Sequence, residues 1–234
     1  MSWIDLAGAH NARDLGGLQA GRRWTGPNVL LRADALDGLT AADVAELVES
    51  RGLAHVVDLR SGHERVERGR GALGSTPVRY TEVEVIGPDD LVRRAEARAS
   101  AFARAEPAAR IIADGYVELL DIGAPALVHC AIGKDRTGVL VALLLDLAGV
   151  DRDEIVADYA RTGERMGPVI ARWVDDSGST INEQVAAFSA LAAPATMAQV
   201  LEVLHERWGG AAGFFAAHGV PAADLDRWRE KLLA

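Results

Sequence analysis

Cysteine and lysine are almost absent from this chain: one cysteine, Cys130, and two lysines stand beside 23 arginines in 234 residues. A single cysteine excludes an intrachain disulfide framework, and without a Cys/His cluster there is no closed zinc site, so the composition suits a reducing compartment. Long apolar runs are missing too. The longest strongly apolar stretch, Val139 to Leu145, stops at Asp146 and is too short to cross a bilayer. The opening MSWIDLAGAHNARDL has neither the basic start nor the apolar core of a signal peptide. A soluble, cytoplasmic protein without stable membrane insertion is expected. A basic surplus is also lacking: the net charge of −9 repels phosphate backbones, so no nucleic-acid partner is expected and any anionic ligand needs a local basic pocket. There is no internal repeat, low-complexity tract or linker, and 49% hydrophobic residues suffice for one core, so residues 1–234 read as a single domain.

What is present is a run of short apolar strands alternating with helices. A strand-like run lies at Asn28 to Leu31. LTAADVAELVESRG reads as a helix capped by Thr40 and closed by Gly52. AHVVDLR reads as a buried strand ending near Asp58, and Val78 to Ile86 as another. Residues 89–121 are rich in Ala, Arg and Glu and read as mostly helical, the Arg-rich part from Leu91 to Arg104 as a solvated amphipathic helix. PALVHC is a further buried strand, and TGVLVALLLDLAG a buried helix ending at Gly149. From Asp151 onward the pattern is helical throughout, with Trp173, Trp208 and Trp228 expected in the core. The fold expected is α/β: a central sheet of about four or five strands, helices on both faces and a helical C-terminal third. In such sheets ligands bind beyond the carboxyl ends of the strands, where both Asp58 and Cys130 fall.

Between the last strand and its helix lies HCAIGKDRTG, His129 to Gly138, holding the only cysteine and one of the two lysines. A strand, a polar glycine-containing loop and a helix together bind anions, because successive backbone N–H groups converge and the helix N-terminus adds positive potential. The same features stabilise a thiolate, which makes Cys130 a candidate nucleophile. Arg136 can return across the loop and fork two phosphate oxygens, a geometry lysine cannot reproduce. The loop residues Ala131, Ile132, Gly133 and Lys134 would contact substrate, Gly133 allowing an inward backbone turn. Thr137 can donate its hydroxyl to the sulfur. Strand alternation points His129 away from the crevice, where it orients the loop through a hydrogen bond. Two other motifs lack the context their chemistry requires. GRGALG at Gly69 to Gly74 lacks the preceding strand and following helix of a dinucleotide site, and GKDRT lacks the Ser or Thr that follows the lysine in a nucleotide-triphosphate loop.

Cysteine, five residues, arginine and threonine, within the fuller HCxxGKDRTG, resembles the loop of the bacterial and fungal tyrosine-phosphatase-like family. NARDLGGL, LLRADAL, VVDLRSGHE, DRDEIVADY and the closing GFFAAHGVPAADLDRWREKLL are also similar to that family, so the resemblance spans nearly the whole chain. Its mycobacterial members act on phosphotyrosine and phosphoinositides. The resemblance implies the cysteine-dependent phosphatase fold and two-step phosphoryl transfer through a phosphocysteine, without metal or other cofactor. It also implies a phosphorylated protein or phosphoinositide as partner. Ile132 departs from the family's usual alanine, and residues 87–121 are short for the two-helix lid of mycobacterial members.

The leaving oxygen needs a proton, and three carboxylic acids compete to supply it. Asp135 sits in the loop, as in phosphoinositide-active relatives. Asp58 closes a strand, where Arg60 could instead hold it in an ion pair; Asp89 follows Pro88 in a strand-end loop. Arg13 belongs either to a surface ion pair with Asp14 or to the pocket wall, as the family suggests, and Arg32 is a weaker candidate of the same kind. Lys134 adds a cation that suits substrates with several phosphates or lowers the thiol pKa. A rhodanese-type sulfurtransferase and a catalytically silent phosphate-binding module are the competing readings.

Overall fold

The computed structural model describes residues 1–84, 125–177 and 192–233. Six strands form one mixed sheet in the order β1 (Ser2–Trp3), β2 (Arg13–Asp14), β5 (Leu30–Ala33), β8 (Ala126–His129), β6 (His55–Asp58) and β7 (Arg79–Glu82). The four from β5 to β7 run parallel; β1 and β2 extend the β5 edge antiparallel. A separate hairpin joins β3 (Gln19–Ala20) and β4 (Arg23–Trp24). The expected α/β architecture is present, with one more strand than expected at the upper end. Beyond the four strands read individually from the sequence are β1 and β2, two residues each and too short to show any alternation.

Period-two alternation sorts the parallel strands onto two cores. Leu30, Val57, Ala126 and Val128 face one side with Cys130. Leu31, Ala33, Val56 and Leu127 face the other, with Leu36, Leu47 and Leu73. The second side is covered by helix α1 (Ala41–Val44), which widens into a π-helical stretch over Ala45–Ser50. Thr40 and Asp43 form a capping box there, and the Asp43 carboxylate also accepts the Ala7 and Gly8 N–H groups, tying down the N-terminal segment. Helix α2 (Gly62–Arg68) was not expected from the sequence, although Ser61 and Glu64 form a capping box at its start.

The first side is covered by helix α3 (Asp135–Leu147), which follows β8 directly after the loop. Five of its leucines, at positions 140, 143, 144, 145 and 147, are buried, each contributing about 1.5–3 kcal/mol before ordering costs are subtracted. Gly149 ends it at φ +77. Around α3 pack α4 (Arg152–Arg161), α6 (Pro194–Trp208), α7 (Ala211–Ala217) and α8 (Ala222–Leu232), while α5 (Met166–Ser177) follows a short 3-10 turn after α4. Trp228 is fully buried and its indole N–H donates to Leu144 O at 3.0 Å, as the core assignment requires. Trp208 is half-buried against Phe214; the Trp173 side chain lies outside those described. α3 is thus packed along most of its length, and its exposed first residue, Asp135, follows the loop directly. Among the described residues no helix is long and apolar enough to cross a membrane.

Candidate active site

β8 is the centre of the parallel block, and its last residue, His129, is level with Ala33 of β5 and Asp58 of β6. Cys130, 1% exposed, therefore opens the loop at the floor of the crevice between two neighbouring strand ends. In a trans peptide the C=O and the following N–H point opposite ways, so whatever holds a carbonyl outward aims the next N–H inward. Every carbonyl of this loop is held. Cys130 O accepts from His129 Nδ1 (3.2 Å), Ala131 O from Ala35 N–H (3.2 Å), and Ile132 O from Asn11 Nδ2 (3.4 Å). Gly133 O accepts from both Asn11 Nδ2 (3.1 Å) and Arg32 Nη2 (2.8 Å), and Lys134 O from Gly138 N–H (2.8 Å). The N–H groups of Ala131, Ile132 and Gly133 donate to no partner among the described residues, and those of Asp135 and Arg136 lie in the first turn of α3, which has no intrahelical acceptor for them. The result is an anion cradle above Cys130.

Two glycines make this path possible. Gly133 has φ +67, and a Cβ there would lie 2.5 Å from Ala33 O. At Gly138 a Cβ would lie 2.8 Å from the Tyr159 ring, so glycine lets α4 approach the start of α3.

Behind the loop lies a buried polar layer. Arg13 and Arg32, both 0% exposed, share the carboxylate of Asp158 on α4: Arg13 Nε at 2.7 Å from Oδ1 and Arg32 Nη1 at 2.5 Å from Oδ2. Arg13 also donates to Asp158 O, Thr162 Oγ1 and Asn11 Oδ1, and lies over the Trp3 ring. Burial and the neighbouring Arg32 lower its pKa to about 10. The expectation of Arg13 at a surface pair or at the pocket wall is corrected: no part of it reaches solvent, and its donors are spent inside the protein. Asp34 lies beside these residues, its Oδ1 accepting the N–H groups of His10 and Asn11; burial pushes its pKa up.

On the β6 side, Arg136 gives Nη1 and Nη2 to the two oxygens of Glu64 at 2.7 and 2.8 Å, and Nη1 also to Leu59 O. Burial opposes charge on both partners, but their mutual bond prevails. Glu64 is held down at about 2, and Arg136 is raised by Glu64 and by the nearby Cys130. Sequence reasoning does not single out Glu64; its place three residues after Ser61, in a capping box, is the signal that could have found it. Asp58, fully buried, receives Nε and Nη2 of Arg60 and the Arg60 N–H at 2.7–3.1 Å. Burial alone would raise the Asp58 pKa, yet His129 and Arg60 lower it. The ion-pair alternative for Asp58 is thus the observed one, and Arg60, 1% exposed, also donates to Gly69 O instead of facing the crevice. His129 Nε2 stands 3.6 Å from Asp58 Oδ1.

Asp135 is the exposed carboxylate of the loop, its side chain 68% accessible. It lies 3.5 Å from Lys134 Nζ and hydrogen bonds Tyr159, whose pKa is raised to about 12 by burial and then by this carboxylate. Thr137 is buried, but its hydroxyl has no partner among the described residues, so the expected bond to the Cys130 sulfur is not formed. Asp89 and residues 87–121 lie outside the described residues.

The chain is 28% identical to the triple specificity protein phosphatase PtpB of Mycobacterium tuberculosis over an alignment of 279 positions that covers all of both chains. It is 32% identical to a tyrosine-protein phosphatase of Nostoc commune over 120 positions, 45% of this chain and 38% of that one. Among solved structures it is similar to the core catalytic domain of the PP-IP phosphatase SIW14 of S. cerevisiae, with 17% identity, a TM-score of 0.42, and coverage of 69% of this chain and 78% of that one. P. aeruginosa TpbA gives 20% identity and a TM-score of 0.37 over 60% and 73%. A model of the tyrosine phosphatase family matches residues 4–234, loop and supporting layer alike, and the chain belongs to that family.

Proposed function

We propose that this phosphatase hydrolyses phosphate monoesters through a phosphocysteine at Cys130, with phosphotyrosine as the first substrate class and phosphoserine, phosphothreonine and phosphoinositides as further ones. What carries the reading is the loop in which every carbonyl is turned away from Cys130. Its inward N–H groups and the N-terminus of α3 favour the thiolate and a phosphoryl group above it. The thiolate attacks phosphorus, the S–P bond forms as the P–O bond to the leaving group breaks, and the leaving oxygen takes a proton. Water then attacks phosphorus, the S–P bond breaks, and phosphate leaves with the thiolate restored. Arg136, oriented by Glu64, and the loop amides oppose the charge on the equatorial oxygens. Residues 1–234 act as one catalytic domain, and the reducing cytoplasm keeps its single thiol in the reactive form.

Asp135 is the acid in this reading. It sits exposed on the loop rim, whereas Asp58 is ionised, buried and bound at both oxygens. Replacing Asp135 by Asn lowers kcat on phenyl phosphate by roughly a hundredfold or more and removes the alkaline limb of its pH profile. Turnover of p-nitrophenyl phosphate, which has a good leaving group, changes little. The same pH signature from Asp58→Asn, with Asp135→Asn unaffected, refutes the assignment. A turnover panel of phosphotyrosine peptide, phosphoserine peptide and phosphoinositides ranks the substrates, and thiosulfate-to-cyanide transfer tests the sulfurtransferase alternative.

A further inference from the structure

Asp158 lies on α4, 145 positions from Arg13 and 126 from Arg32, and among the described residues it makes no hydrogen bond to the loop. Both arginines that it holds are connected to the loop. Arg32 bridges it directly, with Nη1 on Asp158 Oδ2 and Nη2 on Gly133 O. Arg13 bridges it in two steps, with Nε on Asp158 Oδ1 and Nη1 on Asn11 Oδ1, while Asn11 Nδ2 donates to Ile132 O and Gly133 O. A planar guanidinium fixed at one edge has its other edge fixed as well, so a single carboxylate sets the direction of both arms. The two carbonyls gripped belong to the peptides on either side of Gly133, whose own N–H is one of the inward groups of the cradle.

We propose that Asp158 is a positioning residue for the phosphate loop: by aiming Arg32, and Arg13 through Asn11, it fixes the peptides on either side of Gly133 so that the Gly133 N–H faces the bound phosphoryl group. This rests on the reading of the loop as a phosphate cradle. It competes with two simpler roles, and charge separates them. Two guanidiniums share one carboxylate, so Asp158→Asn makes the region behind the loop more positive while loosening both arms. If the field dominates, the variant binds phosphate more tightly. If position dominates, it binds more weakly in spite of the added positive charge. If the cluster only stabilises the fold, binding is unchanged.

The test uses the full chain and two readouts that need no turnover: the pH dependence of Cys130 alkylation by iodoacetate, and protection against that alkylation by inorganic phosphate. For Asp158→Asn the expected result is an alkylation inflection moved to higher pH and about tenfold more phosphate needed for protection, the size of one lost charge-assisted hydrogen bond. An inflection moved to lower pH with tighter protection overturns the proposal. So does a lower Tm with both readouts unchanged. If Asp158→Asn does not fold, Arg32→Lys decides: it keeps the charge beside Asp158 but has no second edge to reach Gly133 O, and the same two shifts are expected. Unchanged readouts there also refute the relay. An ordinary thiol with no phosphate protection in the unmodified protein would instead refute the phosphatase reading itself.

Discussion

Two buried arginine–carboxylate clusters flank the loop, and they are built to different ratios. On the β6 side one arginine, Arg60, is wrapped around one carboxylate, Asp58, with three donors on it. On the β5 side one carboxylate, Asp158, is divided between two arginines, which leaves donors over. Two of those remaining donors reach the loop, Arg32 Nη2 at Gly133 O and Arg13 Nη1 by way of Asn11 at Ile132 O and Gly133 O, while Arg13 Nη2 returns to Asp158 O and Thr162 Oγ1. The first cluster spends its donors away from the loop: Arg60 also holds Gly69 O and stands 3.5 Å from Asp37, and among the described residues Asp58 meets the loop only through His129, whose Nε2 is 3.6 Å away. The second passes its order to the loop. Residue type does not distinguish them, since each is Arg and Asp near a strand end; stoichiometry and the fate of the spare donors do.

Breaking what both clusters surround has the largest effect. Cys130→Ser abolishes turnover while leaving the far-ultraviolet dichroism and Tm close to those of the parent. Next is Gly133→Ala, where a Cβ meets Ala33 O and the residue must hold a positive φ. The loop has to move, and kcat/KM on p-nitrophenyl phosphate falls by roughly a hundredfold. Asp58→Asn sharpens the contrast between clusters. It strands a buried guanidinium and lowers stability by about 3–5 kcal/mol in denaturant titrations, yet the folded fraction keeps the parent's pH profile with phenyl phosphate.

Acid titration has a smaller effect. Glu64 is depressed from an ordinary 4.5 to about 2, so its contribution to stability is complete above pH 4.5 and is lost as pH falls toward 2. With its side chain 29% exposed, this amounts to roughly 1–2 kcal/mol. Denaturant midpoints recorded across that window drop for the parent and flatten for Glu64→Gln. The smallest effect belongs to Asp146→Asn at the far end of α3, where the carboxylate meets His205 at 2.7 Å and accepts Ala211 N–H. It costs about 1 kcal/mol and leaves phosphate protection of Cys130 unchanged.

Local order made much of this molecule legible. β6, β8 and α3 follow from apolar runs bounded by turn residues, and Cys130, Gly133 and Arg136 from a loop continuous in sequence. β5 was placed two residues early, because the turn at Asn28 and the strand that follows share apolar neighbours. Helix α2 was missed because its seven residues carry no apolar face; the capping box alone marked it. The supporting layer was beyond reach for a different reason. Asn11, Arg13, Arg32 and Asp158 meet only after the N-terminal strands pair with β5 and α4 packs on α3, and nothing local distinguishes a buried arginine from a solvated one in a chain that has 23. From sequence, Arg13 therefore reads as either half of a surface pair or part of the pocket wall, and Asp58 as either the acid or an ion-pair partner of Arg60; burial removes both from the crevice.

The most direct measurement is acid quenching during turnover of p-nitrophenyl phosphate, followed by mass mapping of the chain. One phosphoryl group is expected on the peptide that contains Cys130, absent when p-nitrophenyl phosphate is omitted or Cys130 is replaced by Ser. Full turnover with no phosphoryl group on that peptide, or with the group on another residue, would contradict the phosphocysteine mechanism.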